Sequence, residues 1–165
     1  MTLATDWQGE NPAGWWLSEK LRGCRAYWDG SRLWSRGGKV ITALEWFTRD
    51  LPTVPLDGEI YAGRCKVETT SRLAVQYGRF TRRCRFVAFD APSVAGTWNE
   101  RMEAAQRAWR DCVEFRLCFS RHDLIATMRD VQAKGGEGLV IRNPKVSRYE
   151  VGRTHNTLKV KYVVG

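Results

Sequence analysis

Asp29-Gly30, set between Arg25–Trp28 and Ser31–Ser35, is the feature that most restricts this fold. An Asp-Gly pair between two strand-like runs is the strongest short-range hairpin signal a sequence carries. A second turn, Gly37-Gly38, follows at once. Further strands are predicted at Leu56–Ala62, Arg85–Phe89, Val113–Phe119, Leu139–Arg142 and Leu158–Val163. Thr42 is placed to cap a short helix, Ala43–Arg49, that Pro52 stops. Val67–Tyr77 reads as an ambiguous, helix-leaning stretch. Thr97 with Glu100 three residues on forms a capping box that opens a helix to about Asp111. Ser120 or Arg121 starts another, ended by Gly135-Gly136. The opening, through Pro12-Ala13-Gly14, reads as irregular. Antiparallel strands with helices interspersed out of βαβ order indicate an α+β fold. At 165 residues, with no repeat and no Pro/Gly/Ser linker, one domain over 1–165 is expected.

Composition narrows the functional classes. Eight Trp, six Phe and five Tyr give too much buriable surface for a disordered chain. No run approaches the roughly 18 apolar residues of a membrane span. The first twenty residues carry Asp6 and Glu10 and show no basic start followed by an apolar stretch, so no secretory signal is seen. Lys and Arg number 27 against 18 acids, a net charge of +9. Such a balance points to a polyanion, nucleic acid before an anionic membrane. Arginine dominates, which suits bidentate binding of phosphate oxygens. The five cysteines are odd in number and form no CxxC pair, so reduced thiols in a cytosolic protein are expected. No phosphate-binding glycine loop or HExxH is present. His122 and His155 have no metal-ligand spacing.

Lysine chemistry remains. Lys20 lies between Trp15-Trp16-Leu17 and the turn Leu21-Arg22-Gly23, just before a strand. Apolar walls and nearby cations favour the neutral amine, which can attack phosphorus or carbonyl carbon. Other segments give this residue its weight. Glu19–Arg25 resembles the KxDGxR nucleophile motif of the covalent nucleotidyltransferases. Ser35-Arg36-Gly37-Gly38 resembles the arginine-bearing motif that follows it, Leu56–Ile60 the DGE strand, and Phe86–Pro92 the aromatic strand. Glu137–Arg142 is similar to the EGxxxR pattern and Leu158–Lys161 to the terminal LKxK pattern. Six motifs in order over Gly14 to Lys161 are specific as a set, though none is alone. Trp15–Lys20, Arg25–Gly30 and Tyr149–Arg153 resemble the small ATP-dependent DNA ligases of bacteria and phages.

The resemblance implies two mainly antiparallel sheets with flanking helices around a nucleotide cleft, an ATP-grasp-like core. It implies that Lys20 attacks the α-phosphate of ATP, forming lysyl-AMP, and that AMP passes to the 5′-phosphate of nicked double-stranded DNA for sealing. Arg25 and Glu59 would bind the ribose, Phe89, ahead of Phe86, would stack on adenine, and Glu19 and Leu21 would give backbone contacts to the base. Glu137 would help hold magnesium, or manganese in its place. Lys159 and Lys161, two apart on one strand, would both face the α-phosphate. Arg36 would contact the nucleotide or the 5′-phosphate at the nick. In this context the basic run Arg79, Arg82, Arg83 and Arg85 is expected to meet DNA phosphates.

The chain departs from the pattern in two places. The motif aspartate two residues after the lysine is Arg22, which reverses the local field. Family ligases also continue into a C-terminal OB-fold domain, so that domain is expected either in a longer protein or in trans. Arg22 keeps a second class open, a catalytically impaired module that still binds nicks or duplex. Within the enzymes, RNA ligases and capping nucleotidyltransferases share the core motifs. A monomer in the bacterial or phage-infected cytoplasm, with no membrane partner, is the expectation.

Overall fold

The computed structural model describes residues 1–64 and 82–161. Among the described residues ten strands form two five-stranded sheets. The first sheet has the order β1 (Thr2–Asp6), β10 (Gly152–Val160), β9 (Gly138–Arg142), β2 (Trp16–Lys20), β8 (Phe115–Leu117). The second runs β5 (Val40–Ile41), β4 (Leu33–Ser35), β3 (Cys24–Trp28), β6 (Leu56–Tyr61), β7 (Arg85–Asp90). Pairing is antiparallel except for β1 beside β10, which is parallel. Among the described residues the helices are α1 (Glu45–Thr48), α2 (Trp98–Ala108) and α3 (Arg121–Ala133). The α+β architecture of two sheets with flanking helices is the one expected.

Alternation sorts each sheet into an apolar and a polar face. In the first sheet Leu17, Leu139, Ile141, Leu158 and Val160 are buried with Leu124, Met128 and Val131 of α3. The intervening residues Ser18, Lys20, Val140, Arg142 and Lys159 take the opposite face. In the second, Ala26, Trp28, Leu56, Ile60 and Phe86 join Trp98, Met102 and Ala105 of α2 in a larger core. Arg25, Asp57, Glu59 and Phe89 face the other way. The two polar faces line a common cleft. Each buried Leu or Ile contributes about 1.5–3 kcal/mol, and this outward packing leaves the chemistry-bearing side chains to the seam.

Several elements match the predicted ones. The first hairpin turns where expected: Gly30 has φ +98°, and Asp29 Oδ1 accepts from the amides of Ser31 and Arg32. The Thr97–Glu100 capping box is present and Ser120 caps α3. Others differ. The opening is not irregular, because Thr2–Asp6 pairs with a partner about 150 residues away that local sequence cannot reveal. Thr42 does not cap α1, whose N-cap is Leu44 and which spans only four residues. The helix expected to run to Asp111 stops at Ala108, where Trp109 is extended and donates its indole N–H to the carbonyl of Phe86. The strand expected at Val113–Phe119 is reduced to Phe115–Leu117, and the closing strand begins at Gly152 rather than Leu158. Val67–Tyr77 lies outside the described residues.

Gly138 shows how tightly the first sheet is drawn together. It pairs with Lys20, and a Cβ there would sit 2.2 Å from the carbonyl oxygen of Val160. Gly138→Ala must therefore push β10 away from β9. We expect a loss of about 1–3 kcal/mol in urea unfolding, the range for overpacking.

Candidate active site

Lys20 is the last residue of β2, opposite the first residue of β9. This register places its ammonium beside Glu137, just before β9, with Nζ 2.8 Å from Oε2. Lys161 approaches the other oxygen, Oε1, at 2.8 Å. One carboxylate thus bridges two lysines, one ending β2 and the other just after β10. Burial pushes the Glu137 carboxyl up, but bonds from Lys161 and Lys20 outweigh it and hold the group below its ordinary value. Lys159 lies two residues before Lys161, and its ammonium is 3.5 Å from Asp6.

The facing wall comes from the second sheet. Arg25 forks onto Asp57, with Nε and Nη2 each donating over 2.7 Å, and Nη2 also donates to the carbonyl of Thr2. Asp57 is fully buried and also accepts the Tyr149 hydroxyl, while that hydroxyl accepts from the amide of Thr2. The Arg25 guanidinium lies over the Phe89 ring, 4.7 Å from its centre. Glu59 pairs across the strands with Arg25 and accepts the Gly23 amide. Burial raises its carboxyl to about 7; Arg25, Lys20 and the Gly23 bond pull the other way without cancelling that cost.

Two adjoining cavities open on this seam. The smaller, about 140 Å³, is lined by Lys20, Leu21, Arg25, Glu59, Phe89, Val140, Arg142 and Lys159. The larger, about 810 Å³, shares Lys20, Arg25, Glu59 and Lys159 and adds Arg36, Arg153 and Lys161. Six cations against one carboxylate make a bowl suited to a polyphosphate or a phosphodiester backbone. Phe89 from one sheet and Val140 from the other offer apolar walls to a planar group in the smaller cavity.

The structure therefore brings Lys20, Arg25, Glu59, Phe89, Glu137, Lys159 and Lys161 to one cleft, with exposed Arg36 on its rim. Leu21 and Glu19 also line it, although the Glu19 carboxylate is held by Arg64 at 2.9–3.0 Å. Phe86 is core, 1% exposed. Arg82 and Arg83 are exposed, and Arg82 stacks over Trp46 at 5.3 Å. Arg79 lies outside the described residues. Arg22 is exposed and lines neither cavity. His122 and His155 are exposed. Residue-by-residue reading passed over Asp57, Tyr149, Arg142 and Arg153, although each lies inside or beside a motif segment. Their signal was a charged or phenolic residue inside a strand-like stretch, which needs an unseen partner to be interpreted.

Comparison with known proteins agrees with this geometry. No model of a protein family matches the sequence. A DNA ligase of Haemophilus influenzae is 29% identical over 160 residues, a match covering 92% of this chain and 59% of that protein. The chain thus spans about three fifths of the length of that relative. A solved structure of Lig E DNA ligases, described as binding DNA with a minimal scaffold, superposes with a TM-score of 0.87. It is 30% identical, and the match covers 98% of this chain and 68% of that one. A Chlorella virus DNA ligase-adenylate shares the fold at a TM-score of 0.80 and 22% identity, over 97% of this chain and 66% of its own. Fold and cleft together define the class, the nucleotidyltransferase domains. The chain belongs to the DNA ligase family, with the Lig E enzymes among its relatives.

Glu59 gives the site a measurable pH signature. With its carboxyl raised from 4.5 to about 7, the folded chain holds a proton that the unfolded chain releases, so stability falls as pH rises through that window. Glu59→Gln removes the effect while keeping an acceptor for Gly23. The stability of this variant relative to the parent should grow from pH 4.5 to 7 and level off above, as read by denaturant unfolding across a pH series.

Proposed function

We propose that this chain is the adenylation domain of an ATP-dependent DNA ligase with Lys20 as its nucleophile. The carrying observation is the position of Lys20, at the inner end of a strand between an apolar-walled cavity and a bowl of cations. In the reaction the Lys20 nitrogen bonds to the α-phosphorus of ATP, the bond from phosphorus to the bridging oxygen breaks, and pyrophosphate leaves. The amine must first lose its proton and its hold on Glu137. Lys159 and Lys161 neutralise charge on the transferring phosphoryl group, which is the main need of this chemistry. Arg25 and Glu59 hold the ribose, Phe89 stacks on the base, and the backbone at Glu19 and Leu21 reads its edge.

Magnesium, or manganese, fits the donor set in a restricted way. No cluster of three metal-ligating side chains exists among the described residues, so Glu137 would be the main protein ligand, with phosphates and water completing the shell. Bound there, the ion would neutralise phosphate charge. Arg36 at the cleft rim, with exposed Arg82 and Arg83, is proposed to grip the phosphates of nicked duplex DNA independently of sequence. A monomer in the cytoplasm, working with an OB-fold domain of the same protein or in trans, completes the reading.

Incubation with ATP labelled in the α-phosphate should give a covalent protein adduct that ATP, not GTP, supports. Lys20→Ala should abolish it, and Glu137→Ala should reduce its rate by about 10²–10³, the scale of losing one electrostatic partner. Duplex binding without any adduct from the parent protein would instead identify a non-catalytic module.

A further inference from the structure

Tyr149 lines neither cavity of the cleft, yet its hydroxyl is bonded to both residues that hold Arg25. It donates to Asp57 Oδ2 and accepts the amide N–H of Thr2 over 2.9 Å. Arg25 in turn donates to Asp57 through Nε and Nη2, and to the Thr2 carbonyl through Nη2. Residues from β1, β3, β6 and the β9–β10 connection thus close a ring of hydrogen bonds across the two sheets. A guanidinium has five N–H donors. The ring takes three of them, the one on Nε and both on Nη2, and leaves the two on Nη1. Arg25 lines both cavities, so Nη1 is the nitrogen it offers to a ligand.

The aim of that nitrogen depends on the phenol. A two-pronged pair with Asp57 fixes the guanidinium plane only as firmly as the carboxylate itself is held. Asp57 is fully buried, and the phenol is its second side-chain partner. Thr2 belongs to an edge strand, where its carbonyl takes Arg25 and its amide is held by the same phenol. Removing the hydroxyl loosens both supports at once and strips the Thr2 amide of its acceptor. Burial and the Asp57 charge raise the hydroxyl above its ordinary value, so its proton stays in place to be donated at neutral pH. The aromatic ring has a contact of its own, the Arg101 guanidinium 6.0 Å from its centre. Tyr149→Phe therefore keeps the packing and deletes only the bonds.

We propose that Tyr149 is a positioning residue for the nucleotide: its hydroxyl holds Asp57 and Thr2 so that Arg25 presents Nη1 to a ribose hydroxyl. The assignment rests on the adenylation reading above and adds to it a residue that acts through Arg25. A donor aimed before the ligand arrives spares ordering on binding, so the gain falls on affinity for a sugar that carries the hydroxyl.

The test uses the intact protein with ATP, 2′-deoxy-ATP and 3′-deoxy-ATP, reading adduct formation as a KM and a saturating rate. In the parent one deoxy analogue should raise KM by about 10- to 100-fold, the range for a hydrogen bond to a charged group. In Tyr149→Phe the KM for ATP should rise about 10-fold while that for the same analogue barely moves, so discrimination shrinks. On an Arg25→Lys background Tyr149→Phe should add nothing further, the mark of one shared interaction. Discrimination that survives Tyr149→Phe, or a parent that uses all three nucleotides equally, overturns the assignment. So does a structural role, which would weaken ATP and both analogues alike and add to Arg25→Lys. Should a variant not fold, a crystal structure of the parent adduct decides. Arg25 Nη1 within about 3.2 Å of a ribose oxygen, with the Tyr149 hydroxyl still on Asp57 and Thr2, supports the assignment, and a ribose beyond its reach refutes it. No adduct from ATP in the parent would count against the adenylation reading itself, a result distinct from an adduct indifferent to Tyr149.

Discussion

The buried carboxylate of Asp57 joins the two halves of this molecule. It belongs to the second sheet, yet through Arg25 and Tyr149 it reaches Thr2 on the edge strand of the first. A charge with no solvent exposure is tolerable only when its oxygens are fully engaged, and here three donors engage them. The network sets how far apart the polar faces stand and keeps a guanidinium against the Phe89 ring. The cavity between the sheets is thus bounded on this side by bonded, directional contacts, while Trp16 and Phe115 of the first sheet pack on the apolar core of the second.

Charge within the seam is graded. Near Glu137 two lysines share one carboxylate, so either can be released to a substrate phosphate without leaving the acid unpaired. Farther in, Arg25 is bonded to Asp57 and the carbonyl of Thr2, and Arg142 to the Ser18 hydroxyl alone.

How much of this was legible in sequence depends on the range of the signal. Asp29-Gly30, the Thr97–Glu100 box and Ser120 are local, and each acts where it stands. Lys20, Glu59, Glu137 and Lys161 were legible only as members of an ordered set, since nothing in one segment shows that strands 120 residues apart converge. The first strand was missed because Thr2–Asp6 has weak propensity and takes its order from β10. Arg142 was visible as the end of a motif, but its burial against Ser18 and Trp98 is a property of the three-dimensional structure alone.

The parallel union of β1 with β10 has a temporal consequence. The residues of β1 must wait for β10, about 150 positions later in the chain, before their ladder can form, a very long loop to close. Arg25 gains its Thr2 ligand, and Lys20 its Lys161 neighbour, only at that closure. A nascent polypeptide emerging from the ribosome therefore exposes Lys20 long before Lys161 follows it, and the seam between the sheets acquires its full set of contacts only once β10 has docked.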